Sequence, residues 1–144
     1  MNDPVPTTTL QDEEKGARRM TIGLILVSVT LAAVAQVTLK AGMNHVTDAN
    51  GGQLALNGES LKQIASQVWV WAGLIIFAFS AVLWLFALSR ANLSFAYPFA
   101  ALGYVIIVIA SILFLDEHVQ PLTWVGVALI VAGILVVAQG APQG

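Results

Sequence analysis

Four long apolar runs alternate with shorter polar segments along this 144-residue chain. The runs cover about residues 20–39, 68–88, 93–115 and 121–138. A helix needs about 20 mostly apolar residues to cross the ~30 Å hydrocarbon core of a bilayer. The pattern therefore predicts an all-α membrane protein, with four transmembrane helices forming a single domain over residues 20–140.

The polar segments between and before these runs predict three further features. Residues 1–19 combine two prolines, three successive threonines and six charged residues near the first run, which predicts a disordered tail. In the first loop, residues 59–67 carry apolar side chains at helical spacing, which predicts a short interfacial helix. Trp69 and Trp71 begin the second run, where an aromatic belt places such side chains.

Composition supports the membrane assignment and narrows the chemistry. Hydrophobic residues make up 58% of the chain and charged residues 10%, against about 25% charged in a soluble domain. Cysteine is absent, and His45 and His118 are far apart, so neither a metal site nor a cofactor is predicted. The net charge of −2 and the lack of a basic run give no reason to expect nucleic acid as a partner.

The basic residues predict how the chain is oriented, because cytoplasmic loops carry more Lys and Arg. One side of the membrane would carry Lys15, Arg18, Arg19 and Arg90, and the other would carry Lys40 and Lys62. This bias predicts a multi-pass protein with both termini in the cytoplasm. Because the bias is small, insertion in both orientations stays open.

The ionisable residues avoid all four runs: none of them contains Asp, Glu, Lys, Arg or His. Such residues inside a membrane are expensive and typically functional, so a proton relay through the bilayer centre has no residue to use. The candidates for binding are instead at the ends of the runs. Lys40 ends the first and Glu117 follows the third, so alternating spans place them on the same side, where they either bind a substrate head group or remain solvated.

Three further positions are candidate contacts for a substrate. Gln36 shares a helix face with Lys40 at i, i+4, where it either bonds to a neighbouring helix or contacts substrate. Pro98 removes a donor one turn into the third run, which predicts a kink at Tyr97–Pro98 that is either structural or lines a cavity. Trp84 is an aromatic side chain of the kind that more often packs against helices or lipid.

The fourth run carries small residues at spacings that favour close helix packing: Gly126, Ala128, Ala132 and Gly133. Packing within the protomer and a contact between two protomers are equally compatible with this pattern.

Taken together, these segments resemble a known family. The order and spacing of several short motifs are similar to those of the Arn-type subunits that flip aminoarabinose-linked undecaprenyl phosphate. The motifs are Val34-Ala35-Gln36 with Lys40, Val82-Leu83-Trp84, Ser94-Phe95-Ala96-Tyr97-Pro98, Asp116-Glu117-His118 and Trp124-Val125-Gly126-Val127-Ala128. That family belongs with the small multidrug resistance and EamA-like proteins in the drug/metabolite transporter superfamily.

The resemblance implies a small-multidrug-resistance-like bundle that dimerises, either with itself or with a paralogous subunit. Gly126 and Gly133 are similar to the glycine pair through which the small multidrug exporters dimerise, and Ala128 and Ala132 are the further contacts expected in that helix. Those exporters carry a glutamate in the first span for proton exchange, and this chain has Ala32 there. This difference argues against proton-coupled drug export.

The resemblance further implies a transporter, not an enzyme: a flippase moving a polyprenyl-phosphate-linked sugar across the bacterial inner membrane, with surrounding membrane lipid as the other partner. The substrate contacts it implies are Gln36, Lys40, Trp84, Tyr97, Pro98 and Glu117. Two alternatives stay open: a small multidrug-type exporter of a cation or metabolite, and an accessory scaffold subunit of a membrane glycosyltransferase.

Overall fold

A computed structural model of the chain describes residues 7–52 and 57–140. The described residues form six α-helices and no strand. The helices are α1 (Thr7–Ala49), α2 (Gly58–Ser66), α3 (Val68–Leu88), α4 (Leu93–Ala100), α5 (Leu102–Leu115) and α6 (Pro121–Gly140). The prediction of an all-α membrane protein is thereby confirmed.

Three segments are long and apolar enough to cross a membrane: one within α1, α3, and α4 with α5 taken together. The fourth apolar helix, α6, has 20 residues, and its shorter apolar segment spans Pro121–Val137. Twenty residues of helix are about 30 Å long, the thickness of the hydrocarbon core.

Helix α1 is much longer than the predicted first span. Its 43 residues are about 64 Å long, so it extends beyond the hydrocarbon core by roughly that thickness again. Residues 7–19 of the predicted tail are the first part of α1 in the structure, and residues 1–6 lie outside the described residues. No proline lies between Pro6 and the end of α1, and extending an existing helix costs far less than starting one.

At its other end, α1 stops at a pair of glycines. Gly51 and Gly52 have φ of 72° and 87°, a left-handed backbone conformation that glycine adopts without strain. The Gly52 N–H donates to the Thr47 carbonyl at 3.0 Å, closing the helix end. The predicted interfacial helix follows as α2, and an Asn50–Gln63 side-chain hydrogen bond joins it to the end of α1.

The third predicted span is divided into two helices, α4 and α5, at Ala101. Pro98 has no N–H to donate to the Ser94 carbonyl, so the turn that precedes it lacks one hydrogen bond. The N–H groups of Ala101 and Tyr104 each donate three residues back, at 3.2 and 3.1 Å, as in a tighter helical turn. The disturbance predicted at Pro98 therefore occurs three residues further along the chain.

The helices pack most closely around α1. Ile25 and Val29 of α1 form a buried cluster with Ala87 of α3 and Ala96 of α4. Near the other end, a Cβ placed on Gly73 of α3 would lie 2.6 Å from Leu39 Cγ, so only glycine lets α1 and α3 approach this closely. In contrast, α6 packs only against α4 and α5 within the described residues.

Candidate functional site

A cavity of about 340 Å³ lies between α1, α3 and the helices α4 and α5. Small side chains on three sides leave this space open, because none of them reaches across the gap between helix backbones. The lining residues are Ser28, Val29, Ala32, Ala33, Gln36, Phe77, Ser80, Ala81, Trp84, Ala100, Gly103, Tyr104 and Ile107. Its volume is within the ~300–1,000 Å³ range of small-molecule sites.

The cavity is near the middle of the first span, and its wall is uncharged and mostly apolar, with a few polar side chains among the lining residues. Ser28 and Ser80 are 2% exposed, and their hydroxyls donate to the carbonyls of Ile25 and Phe77 at 2.9 and 2.7 Å. A hydroxyl that donates in this way keeps lone pairs with which it can accept. The cavity therefore presents hydrogen-bonding groups at a depth where a charged group would be costly.

Two of the predicted contact residues, Gln36 and Trp84, line this cavity. Gln36 is exposed, and its amide supplies both donors and an acceptor. Trp84 adds an aromatic wall and an indole N–H donor. Tyr97 lies behind it, with its ring 6.1 Å from that of Trp84 in an edge-to-face arrangement.

The other two predicted positions in this region lie beside the cavity and not in its wall. Neither Tyr97 nor Pro98 is among the lining residues, and Tyr97 is 58% exposed. Their connection to the cavity is indirect. Tyr97 supports Trp84, and the interruption at Ala101 next to Pro98 precedes Gly103 and Tyr104, which do line the cavity.

The charged residues Lys40 and Glu117 come together one helical turn beyond Gln36. Lys40 Nζ lies 3.7 Å from Glu117 Oε1, and both side chains are about half exposed. The turn after α5 makes this possible. Asp116 adopts a left-handed conformation, φ 53°, and the N–H of Glu117 donates to the Ser111 carbonyl, which reverses the chain.

The sequence did not single out Ser28, Ser80 and Tyr104 as cavity residues. One signal was present: Ser28, Ala32 and Gln36 follow one another at intervals of four and therefore share a face of α1. No comparable pattern marks Ser80 or Tyr104, because their position depends on how α3 and α5 pack against α1.

The four small residues of α6 lie away from its packed side. Val127 and Ile134 are the buried residues of this helix. A Cβ on Gly126 or Gly133 would meet no described atom within 4 Å, and Ala128 and Ala132 are exposed. At about 100° per residue, the glycine pair and the alanine pair flank the buried side in opposite directions, so the two pairs do not form one continuous face.

The fold and cavity are those of a small multi-pass membrane transporter. Residues 18–139 match the EamA-like transporter family, and the chain belongs to that family. The predictions of a transporter and not an enzyme, and of a resemblance to this superfamily and its Arn-type branch, are confirmed.

Several curated proteins are similar to the chain over most of its length. The probable 4-amino-4-deoxy-L-arabinose-phosphoundecaprenol flippase subunit ArnF of Shewanella sediminis is 36% identical over 79% of this chain and 84% of its own length. The probable ArnE subunits of the same flippase from Salmonella newport and Pseudomonas fluorescens are 30% and 28% identical, covering 83% and 85% of this chain and 99% and 100% of their own lengths. No solved structure matches the chain significantly.

Proposed function

We propose that this chain is one subunit of a flippase that moves a polyprenyl-phosphate-linked sugar across the bacterial inner membrane, with both termini in the cytoplasm. The observation that carries the proposal is an uncharged cavity at mid-membrane depth with a few polar side chains in its wall, and a half-exposed cation one turn beyond it. The relatives named as flippase subunits agree with it.

The cavity suits a sugar. Serine hydroxyls, the Gln36 amide and the Trp84 indole offer donors and acceptors to hydroxyl groups, while the aromatic rings offer flat apolar surfaces. The exposed position of Gln36 indicates an opening toward the surroundings of the helices. A polyprenyl chain can then remain in the bilayer while the sugar occupies the cavity.

Lys40 is suited to binding the phosphate. Its ion pair with Glu117 is long and half exposed, and pairs of this kind contribute only about 0–1 kcal/mol. A phosphate carries at least as much negative charge as the carboxylate, so it displaces Glu117 at little cost. Glu117 then recovers Lys40 when the substrate leaves, which favours release.

The proposal extends to a dimer, with either an identical or a paralogous partner, joined through α6. The glycines Gly126 and Gly133 lie off the packed side of the helix and leave room for a second backbone, whereas Ala128 and Ala132 form the opposite flank. Because α6 contributes nothing to the cavity lining, a partner on α6 leaves the cavity open.

Reconstitution into liposomes tests the function. Purified protein should move a short-chain polyprenyl-phosphate sugar from one leaflet to the other, measured by its accessibility to an added periodate reagent. Lys40→Ala should slow this movement at least tenfold, whereas Lys62→Ala, which removes another exposed lysine on the same side, should not. Equal rates for Lys40→Ala and the unchanged protein would contradict the role of Lys40.

The same preparation separates the alternatives. Proton-driven uptake of a cationic dye by this chain would favour a small multidrug-type exporter. Loss of a glycosyltransferase complex on deletion, with flipping unchanged, would favour a scaffold subunit.

A further inference from the structure

Trp84 is packed against the protein on one side and borders the cavity on another. It packs against the buried cluster of Ile25, Val29, Ala87 and Ala96, and it also belongs to the cavity wall. The residue is only half-buried, so the cluster alone leaves its ring more than one rotamer. The orientation that the ring presents to the cavity therefore depends on its remaining contacts.

Tyr97 supplies one of these contacts from outside the cavity. Its ring centroid lies 6.1 Å from that of Trp84, and the two planes are inclined at 68°. This is edge-to-face geometry, which a rotation of the Trp84 ring would break. Tyr97 is 58% exposed and is not among the described residues that line the cavity. It therefore contacts the cavity wall from behind, through Trp84.

The first turn of α4 fixes the position of Tyr97. The N–H groups of Phe95 and Ala96 donate to the Asn92 carbonyl, both at 3.0 Å, which holds the start of this short helix. Ala96, next to Tyr97 in the chain, is fully buried in the cluster that Trp84 contacts. The two aromatic residues are therefore anchored to the same cluster, and Tyr97 is a fixed support for the neighbouring ring.

We propose that Tyr97 is a positioning residue, which holds the Trp84 ring in the orientation that stacks on the sugar of the substrate. This rests on the proposed function and assigns Tyr97 a role through Trp84 in place of a direct contact with substrate. When only a fraction of the molecules has the ring in that orientation, the apparent affinity falls by the same fraction. Loss of Tyr97 should therefore weaken binding without slowing the movement of bound substrate.

The dependence of transport on substrate concentration tests this role in the liposome assay. Tyr97→Leu should raise the half-saturating concentration of polyprenyl-phosphate sugar about two- to tenfold, the range that corresponds to one edge-to-face ring pair, with the maximal rate unchanged. Tyr97→Phe keeps the ring and should transport as the unchanged protein does. An equal loss in Tyr97→Phe and Tyr97→Leu would mean that the hydroxyl contacts substrate directly, and would overturn the proposal.

A double substitution separates action through Trp84 from a general structural effect. Trp84→Leu alone should raise the half-saturating concentration, and adding Tyr97→Leu to it should cause no further increase, because the ring that Tyr97 supports is already absent. Phe86→Leu is the matched control: it removes another exposed aromatic ring of α3, about 200° around the helix from Trp84, and should leave transport unchanged. Additive losses from Tyr97→Leu and Trp84→Leu would contradict the positioning role.

Fluorescence measures the orientation of the ring without transport. Replacing Trp69, Trp71 and Trp124 with phenylalanine leaves Trp84 as the only tryptophan of the chain. In the detergent-purified full chain, Tyr97→Leu should increase the fast local component of the anisotropy decay of Trp84, and Tyr97→Phe should not. Equal decay in both variants would show that Tyr97 does not hold the ring.

The result is distinguishable from failure of the proposed function. An anisotropy that depends on Tyr97, without movement of the lipid-linked sugar by the unchanged protein, would refute the flippase and keep the support of Trp84 by Tyr97. Movement with the same half-saturating concentration in Tyr97→Leu and the unchanged protein would refute the positioning role and keep the flippase.

Discussion

Glycines in α3 and in α6 are used in opposite ways. At Gly73 the missing side chain lets α1 approach, since a Cβ there would lie 2.6 Å from Leu39 Cγ and 3.1 Å from the Ala35 carbonyl oxygen. At Gly126 and Gly133 a Cβ would meet nothing described within 4 Å. Glycine therefore allows close packing within the protomer in α3, and in α6 it leaves open space on the outside of the protomer.

The difference indicates which part of the molecule is rigid. Lipid tails are as apolar as leucine, so helices in a membrane gain stability mainly from close packing and hydrogen bonds. The pair of α1 and α3 has that packing, and the cavity lies in its wall. Helix α6 contacts only α4 and α5, so its stability is expected to depend more on a partner.

The largest effect on stability is expected at Gly73. Gly73→Ala forces the side chain of Leu39 and the backbone at Ala35 to move, and overpacking of this kind costs about 1–3 kcal/mol. Thermal unfolding of the detergent-purified protein, followed by circular dichroism, measures the loss. Adding Leu39→Ala should recover part of it by making room. Unchanged stability of Gly73→Ala would show that α1 and α3 are not held this closely.

A smaller effect is expected on association. Gly133→Leu fills the space beside α6 and should lower the dimer fraction several-fold in a cross-linking assay. Ala132→Leu is the matched control, because Ala132 is also exposed but lies about 100° around the helix from Gly133, on the side of the alanine pair. A lower dimer fraction in Ala132→Leu but not in Gly133→Leu would indicate that the dimer contact is on the alanine side of α6.

The smallest effect is expected from Gly126→Ala. Because the added Cβ meets no described atom and alanine favours helix by about 0.5–1 kcal/mol, the protein should be as stable as before or slightly more so. The same unfolding measurement applies. Destabilisation similar to that of Gly73→Ala would remove the distinction between the two helices.

The sequence predicted the parts of the fold that depend on local pattern. The apolar run of α3 gave bounds of Val68–Leu88, as observed, and the alternation of spans placed Lys40 and Glu117 on one side. The predicted bounds of the first span do not give the ends of α1, because polar residues mark the edge of the bilayer but not the end of a helix. A glycine pair, not a change in polarity, ends α1.

The candidate site was predicted only in part, for a related reason. Gln36 was recognised as a polar residue inside an apolar span, and it does line the cavity. Ser80 was not recognised, because its hydroxyl bonds within its own helix. Only the packing of the helices brings it into the same cavity wall as Ser28 and Tyr104. Positions of this kind follow from helix packing, which periodicity in one helix does not reveal.

The central claim is that the cavity between α1, α3 and α5 is the path of the sugar, and a pair of substitutions in α3 tests it. Ala81 lines the cavity and Ala78 does not, and both are exposed alanines, so tryptophan at either position adds the same bulk. Movement of a polyprenyl-phosphate sugar in liposomes should be lost in Ala81→Trp and retained in Ala78→Trp. Equal movement in both variants, with both still folded, would contradict the claim.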